Sequence, residues 1–247
     1  MLDSTLRKQL NELKLTCFVD LLDTNYNLYL KQGLSFHETL GLLGDAELQL
    51  RHKRRIERLI NSAKFRYPSA RLENINYTPS RKLNKEIIQY LSTGSWLEKK
   101  QNLLIFGATG TGKTWLSCAL GIQACRQSYD TLFITAHQLI EQLGDALLDG
   151  SLIKFRRKIV KSRLLIIDDF ALGHIDAQIA PILLEIIDLQ SMHGCLMITS
   201  QFSIEHWHDK FNDSTIADAL LDRAINQAHI IELKGKSMRK VAETLDL

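Results

Sequence analysis

Apolar residues follow a helical period in the first quarter of this chain and fall into short continuous runs afterwards. Leu6, Leu10 and Leu13 recur at i, i+3 and i+4 spacing, and Phe18, Leu21, Leu22 and Tyr26 extend the stripe less regularly. Gly33 is a stop signal. Ser35-Phe36-His37-Glu38 reads as a capping box, Ser at the N-cap and Glu three residues on, which opens a long helix expected to reach about Lys64. Tyr67-Pro68 ends that helix, residues 68–82 with Pro68 and Pro79 form a connector, and residues 83–97 predict a short helix.

Beyond the connector, Leu103–Phe106, Thr131–Thr135, Leu164–Asp169, Cys195–Ser200 and His229–Leu233 read as strands, most of them too continuously apolar to have a wet face. Between and around them lie helical patterns at 115–127, 136–149, 152–160, 177–192, 204–210 and 215–227, with Pro181 in a first turn where proline is tolerated. Five strands alternating with helices predict an α/β fold with a parallel sheet covered on both faces. The expected organisation is a small all-helical domain at 1–66, a connector at 67–82 and the α/β domain at 83–247.

The first strand runs straight into Gly107-Ala108-Thr109-Gly110-Thr111-Gly112-Lys113-Thr114, which fits G-x-x-x-x-G-K-[ST] at every fixed position, and a helix follows. Glycines let the backbone fold into a nest of inward-pointing N–H groups, and the helix start adds its positive dipole end. Lys113 can reach the β- and γ-phosphates and the Thr114 hydroxyl can ligate Mg²⁺. The strand Leu164–Asp169 supplies what such a loop needs next. Asp168 at its tip is the expected Mg²⁺ carboxylate, and Asp169 is the candidate general base for a water attacking the γ-phosphate. With no N-K-x-D motif to read guanine, ATP is preferred over GTP. Thr199-Ser200-Gln201 ends another strand at the same edge of the sheet, where Gln201, or else Ser200, is placed to orient the lytic water; a plain turn start is the competing reading. Arg223 and Arg239 are candidate cations for the charge that spreads over a phosphoryl transition state, though for each alone a surface salt bridge is the plainer reading.

Composition adds one feature. A 247-residue chain with 45% hydrophobic and 24% charged residues can bury a core. No apolar run approaches the length of a membrane span, and the first residues lack a signal-peptide core, so a cytoplasmic protein is expected. The four cysteines are scattered and read as small buried residues. The formal net charge is only +3, yet from Arg51 to Arg71 eight Lys or Arg face a single acid, Glu57. Arg51, Arg54, Arg55 and Arg58 share one helical side, where like charges repel unless an anion meets them. Duplex DNA is the expected partner for Arg51, Lys53, Arg54, Arg55, Arg58, Lys64 and Arg66; a solvated helix face is the alternative.

Taken together, Gly107–Thr114, Leu164–Asp169, Ile198–Gln201, Leu221-Asp222-Arg223 and the stretch from Glu232 to Lys240 resemble the IstB-like transposition helper ATPases, AAA+ proteins related to DnaC-type helicase loaders. Phe65-Arg66-Tyr67-Pro68, Gly94-Ser95-Trp96 and His206-Trp207-His208 extend the resemblance over nearly the whole chain. It implies an AAA+ core and an ATPase that binds duplex DNA, assembles into a ring or helical homo-oligomer and stimulates a cognate transposase. By position it implies ATP and Mg²⁺ at Lys113 and Thr114, Mg²⁺ at Asp168, and a base at Asp169. It also implies sensor 1 at Gln201 or Ser200, an arginine finger at Arg223 acting on a neighbouring subunit, and sensor 2 at Arg239. Ala108 stands where the family commonly has Pro, and Lys236 where it has Glu. A helicase loader is the alternative function. A metabolic kinase fits less well, because no acceptor site is visible.

Overall fold

The computed structural model describes residues 3–173 and 175–238, in two compact units divided between Arg58 and Leu59. The first unit holds α1 (Ser4–Glu12), α2 (Thr16–Lys31) and most of α3 (Phe36–Ala63). Asp3 caps α1 by accepting from the Thr5 amide. The capping box at α3 forms as the sequence predicts: the Glu38 carboxylate accepts from the Ser35 amide at 2.8 Å, and the Ser35 hydroxyl from the Glu38 amide at 3.3 Å. Among its described apolar residues only Val19 and Leu43 are fully buried. Glu47 is buried beside them, accepting from the Cys17 amide and pairing with Arg51 at 2.8 Å.

The second unit is built on a five-stranded, all-parallel sheet in the order β2-β3-β4-β1-β5. Its strands are β1 (Leu103–Gly107), β2 (Thr131–Thr135), β3 (Leu164–Phe170), β4 (Cys195–Ser200) and β5 (His229–Leu233). The helices in chain order are α4 (Lys85–Ser92), α5 (Ser95–Glu98), α6 (Lys113–Arg126), α7 (Ala136–Leu148), α8 (Leu152–Val160), α9 (Ala180–His193) and α10 (Ser214–Ile225). Strand periodicity sorts the core into two layers. Leu103, Ile105, Ile166 and Met197 pack with α4 and α6 on one face. Leu104, Ile167 and Ile198 pack with α7, α9 and α10 on the other. Helices on both sides bury both faces of β1, β3 and β4, which explains their apolar runs, whereas β5 at the sheet edge leaves Ile230 and Glu232 exposed. Strand β1, which leads into the P-loop, lies between β4 and β5. The sheet order places the carboxyl ends of β1, β4 and β3 side by side, the usual crevice for a ligand in an open α/β sheet.

The structure departs from the sequence expectations in four places. Residues 83–97 form two helices because Gly94 takes φ 79°, and a Cβ there would lie 2.2 Å from the Gln127 side chain. Helix α9 starts at Ala180 because Asp176 holds a turn, accepting from the Gln178 amide at 2.7 Å. Residues 204–210 are two 3-10 turns around Trp207, whose buried indole packs edge-on to Phe170 at 4.7 Å between centroids and donates to Ser200 Oγ. The sequence extends the helical part to residue 66, whereas the units divide at 58/59, because Leu59, Ile60, Ala63 and Phe65 pack into the core of the second unit. The connector is likewise packed, with Ala70, Ile75 and Arg81 buried.

Candidate functional site

The loop between β1 and α6 folds around its own lysine. Lys113 is buried, and its Nζ donates to Gly107 O at 2.8 Å and Ala108 O at 3.1 Å. The Thr111 hydroxyl closes the turn on Ala108 O. At Gly110, φ is 82° and a Cβ would sit 2.2 Å from Ser237 Oγ, so only glycine admits the segment that follows β5. That segment is fixed there by the Met238 amide donating to Gly110 O at 2.8 Å. The distinctive Lys-Gly-Lys-Ser-Met stretch is therefore part of the site. Arg239, the next residue, lies outside the described residues.

A cavity of about 720 Å³ opens over the loop, and Thr109, Gly110, Gly112, Lys113, Thr114, Asp169 and Gln201 all line it. That volume suits a nucleotide-sized ligand. Asp168 lies under it, fully buried, with Oδ1 accepting from the Thr199 hydroxyl at 2.6 Å and Oδ2 without a hydrogen-bond partner. Burial pushes the Asp168 carboxyl above the usual carboxylate range and the neighbouring Asp169 adds to this, while the hydroxyls of Thr199 and Thr114 and the Arg66 guanidinium oppose it. A bare, buried carboxylate oxygen beside a threonine hydroxyl is a hard-oxygen donor set that fits Mg²⁺.

Asp169 is held in a strained conformation. Ile167 pairs with Ile198 but Phe170 with Ser200, so two residues of β3, Asp168 and Asp169, stand against one of β4, Thr199. The resulting bulge puts Asp169 at φ 56°, its amide donating to Thr199 Oγ1 at 3.0 Å. Bulges of this kind re-aim side chains next to functional sites. Thr199 is the residue the sequence reading missed: one hydroxyl positions both acids. Strand alternation could have found it, since it places Thr199 and Gln201 on one face and Ser200 on the other. Ser200 is indeed buried on the far face, its hydroxyl donating to Phe170 O. Gln201 faces the cavity, its Oε1 accepting from the Thr109 hydroxyl at 2.7 Å, which leaves the amide nitrogen as a donor.

The remaining candidates are scattered. Arg223 is not at the cavity; on α10 it donates to Asp188 of α9 and to Ala219 O, and its carbonyl accepts from buried Asn102. Arg51, Lys53, Arg54, Arg55 and Arg58 lie exposed on α3, but Arg51 is engaged by Glu47 and Lys14 O. Lys64 follows α3 at φ 58° and lines a separate cavity of about 420 Å³ against β2. Arg66, grouped above with the DNA contacts, lines the nucleotide cavity, because the chain turns onto the sheet immediately after Phe65. Burial pushes the thiols of Cys118, Cys125 and Cys195 up to about 11, which makes them inert.

The unpaired Asp168 charge carries a measurable cost. A carboxyl with a raised folded pKa destabilises the fold little below its ordinary value of 3.8, increasingly as pH rises, and fully above the folded pKa. At neutral pH, Asp168→Asn is therefore expected to raise the melting temperature of the nucleotide-free protein by roughly 2–4 °C. It should also diminish the stabilisation that Mg²⁺ with ATP provides. Thermal scans of both proteins check this, and a lower melting temperature for the variant would contradict the unpaired-charge account.

Known proteins resemble this chain in sequence and in fold. An insertion sequence ATP-binding protein of Sinorhizobium fredii is 36% identical over 215 residues, 87% of this chain and 86% of the relative. The ATP-binding protein of insertion sequence IS1162 from Pseudomonas fluorescens is 40% identical over 193 residues, 78% of this chain and 84% of the relative. Among solved structures, DnaI superposes with a TM-score of 0.59 at 18% identity, covering 72% of this chain and 94% of that one. The DnaC helicase loader does so with 0.58 at 17%, covering 68% and 99%. These share the fold. The family model for IstB-like ATP binding proteins matches residues 8–245, and the chain belongs to that family.

Proposed function

We propose that this protein hydrolyses ATP in a homo-oligomer assembled on duplex DNA and that it stimulates the transposase of its insertion sequence. The observation that carries the hydrolytic reading is the pair of acids at the end of β3. One is buried with a bare oxygen beside Thr114, and the other is forced by a bulge into the cavity that Lys113 and Gln201 share. Insertion-sequence relatives and the basic face of α3 support the transposition and DNA parts of the reading.

In the chemical step the Asp169 carboxylate takes the proton of the attacking water, and the Gln201 amide orients that water or a γ-phosphate oxygen. Lys113 holds charge developing on the phosphate oxygens as the bond from the terminal phosphorus to the bridging oxygen breaks, leaving ADP and phosphate. Thr114 and Asp168 would hold Mg²⁺, which when bound would add positive charge to the site. Arg223 completes the site of a neighbouring subunit, for which it must leave Asp188. Mixing Arg223→Ala subunits with Lys113→Ala subunits tests the shared site. Neither alone should hydrolyse ATP appreciably, and the mixture should recover part of the activity. No recovery in an intact assembly would confine Arg223 to its own subunit.

A further inference from the structure

Arg81 lies in the connector, outside every motif that the sequence analysis singled out. Its relative exposure is 7%, and it lines the nucleotide cavity. Its guanidinium makes two hydrogen bonds, both to neutral carbonyls: Nη2 to Thr111 O at 3.0 Å and Nη1 to Asn76 O at 2.8 Å. Nε is buried without a partner. Among the described residues no Asp or Glu lies within ion-pair distance of it. Burial alone lowers its pKa, as expected of a cation that lacks a compensating charge. A buried cation without a counter-ion is costly, and buried charges are normally paired.

The position of Arg81 indicates which anion compensates it. Thr111 is the last loop residue before Gly112, the N-cap of α6, and this end of a P-loop cradles the α- and β-phosphates. The Arg81 carbonyl in turn accepts from the Lys234 amide, so one residue ties the connector, the loop and the segment after β5 to the same cavity wall. We propose that Arg81 is a nucleotide-contacting residue whose guanidinium pairs with the diphosphate portion common to ATP and ADP. The inference rests on the ATP-binding reading.

Fluorescent ATP and ADP titrations of wild-type protein and of Arg81→Gln and Arg81→Lys, with thermal scans of each without nucleotide, test it. Arg81→Gln should weaken both nucleotides together by roughly 10- to 100-fold, the range for a hydrogen bond to a charged group. Arg81→Lys keeps the charge and should stay within about fivefold of wild type, although it loses the planar fork that holds both carbonyls. Equal losses for Lys and Gln, matched by equal falls in melting temperature, would make Arg81 a structural clamp and overturn the proposal. Unchanged binding by Arg81→Gln would also overturn it while leaving the parent reading intact. Absence of nucleotide binding by the wild-type protein would overturn both.

Discussion

Asp169→Asn should bind ATP with near wild-type affinity and hydrolyse it about 10²- to 10⁴-fold more slowly, the range for loss of a positioned general base. The split arises from the bulge. Asp168, whose bare oxygen suits the metal, is untouched by the substitution, and so is the Thr199 hydroxyl, because the bond it accepts at position 169 comes from the backbone amide. Asn also tolerates the left-handed conformation at φ 56° better than most residues, so the local backbone should survive. Nucleotide titration beside single-turnover phosphate release separates the two effects. Hydrolysis at the wild-type rate would mean that Asp169 does not take the proton.

The other large effect concerns α3. Changing Arg51, Arg54, Arg55 and Arg58 to Gln keeps helix propensity and removes the exposed charge. Removing one phosphate-neutralising cation should flatten the dependence of log K on log salt by roughly 0.9, which near 0.1 M salt amounts to about 10³-fold weaker duplex binding when three or four are removed. Such cations pair with phosphates and carry little sequence preference. ATP affinity should not change, since none of these residues lines the nucleotide cavity. Duplex titrations at several salt concentrations decide the matter. An unchanged slope would return the stripe to a solvated helix face and favour the helicase-loader function.

Much of this was legible in the sequence because the signals are local. All five strands lie where the sequence reading puts them, four on largely apolar runs, and the P-loop carries its context with it. The carboxyl ends of β1, β3 and β4 converge because parallel strands with crossover helices must place them at one edge. What stayed hidden depends on tertiary placement. The bulge at Asp168–Asp169 exists only relative to β4, so neither the strain at Asp169 nor the double role of Thr199 has a one-dimensional trace. By sequence Arg66 belongs to a charged run, although it sits three residues beyond the end of α3, on a chain that has already turned towards the sheet. Arg81 sits in a connector with no periodicity, and only burial without a counter-ion marks it out.

In the proposed function the acids at the end of β3 serve hydrolysis and not binding alone. The most direct measurement of this is phosphate release from Mg²⁺–ATP by the wild-type protein, with and without duplex DNA, against Lys113→Ala as background. Release well above that background, and higher with DNA than without it, is the predicted result. A wild-type protein that binds ATP tightly but releases no more phosphate than Lys113→Ala under either condition would mean that the two acids serve binding alone.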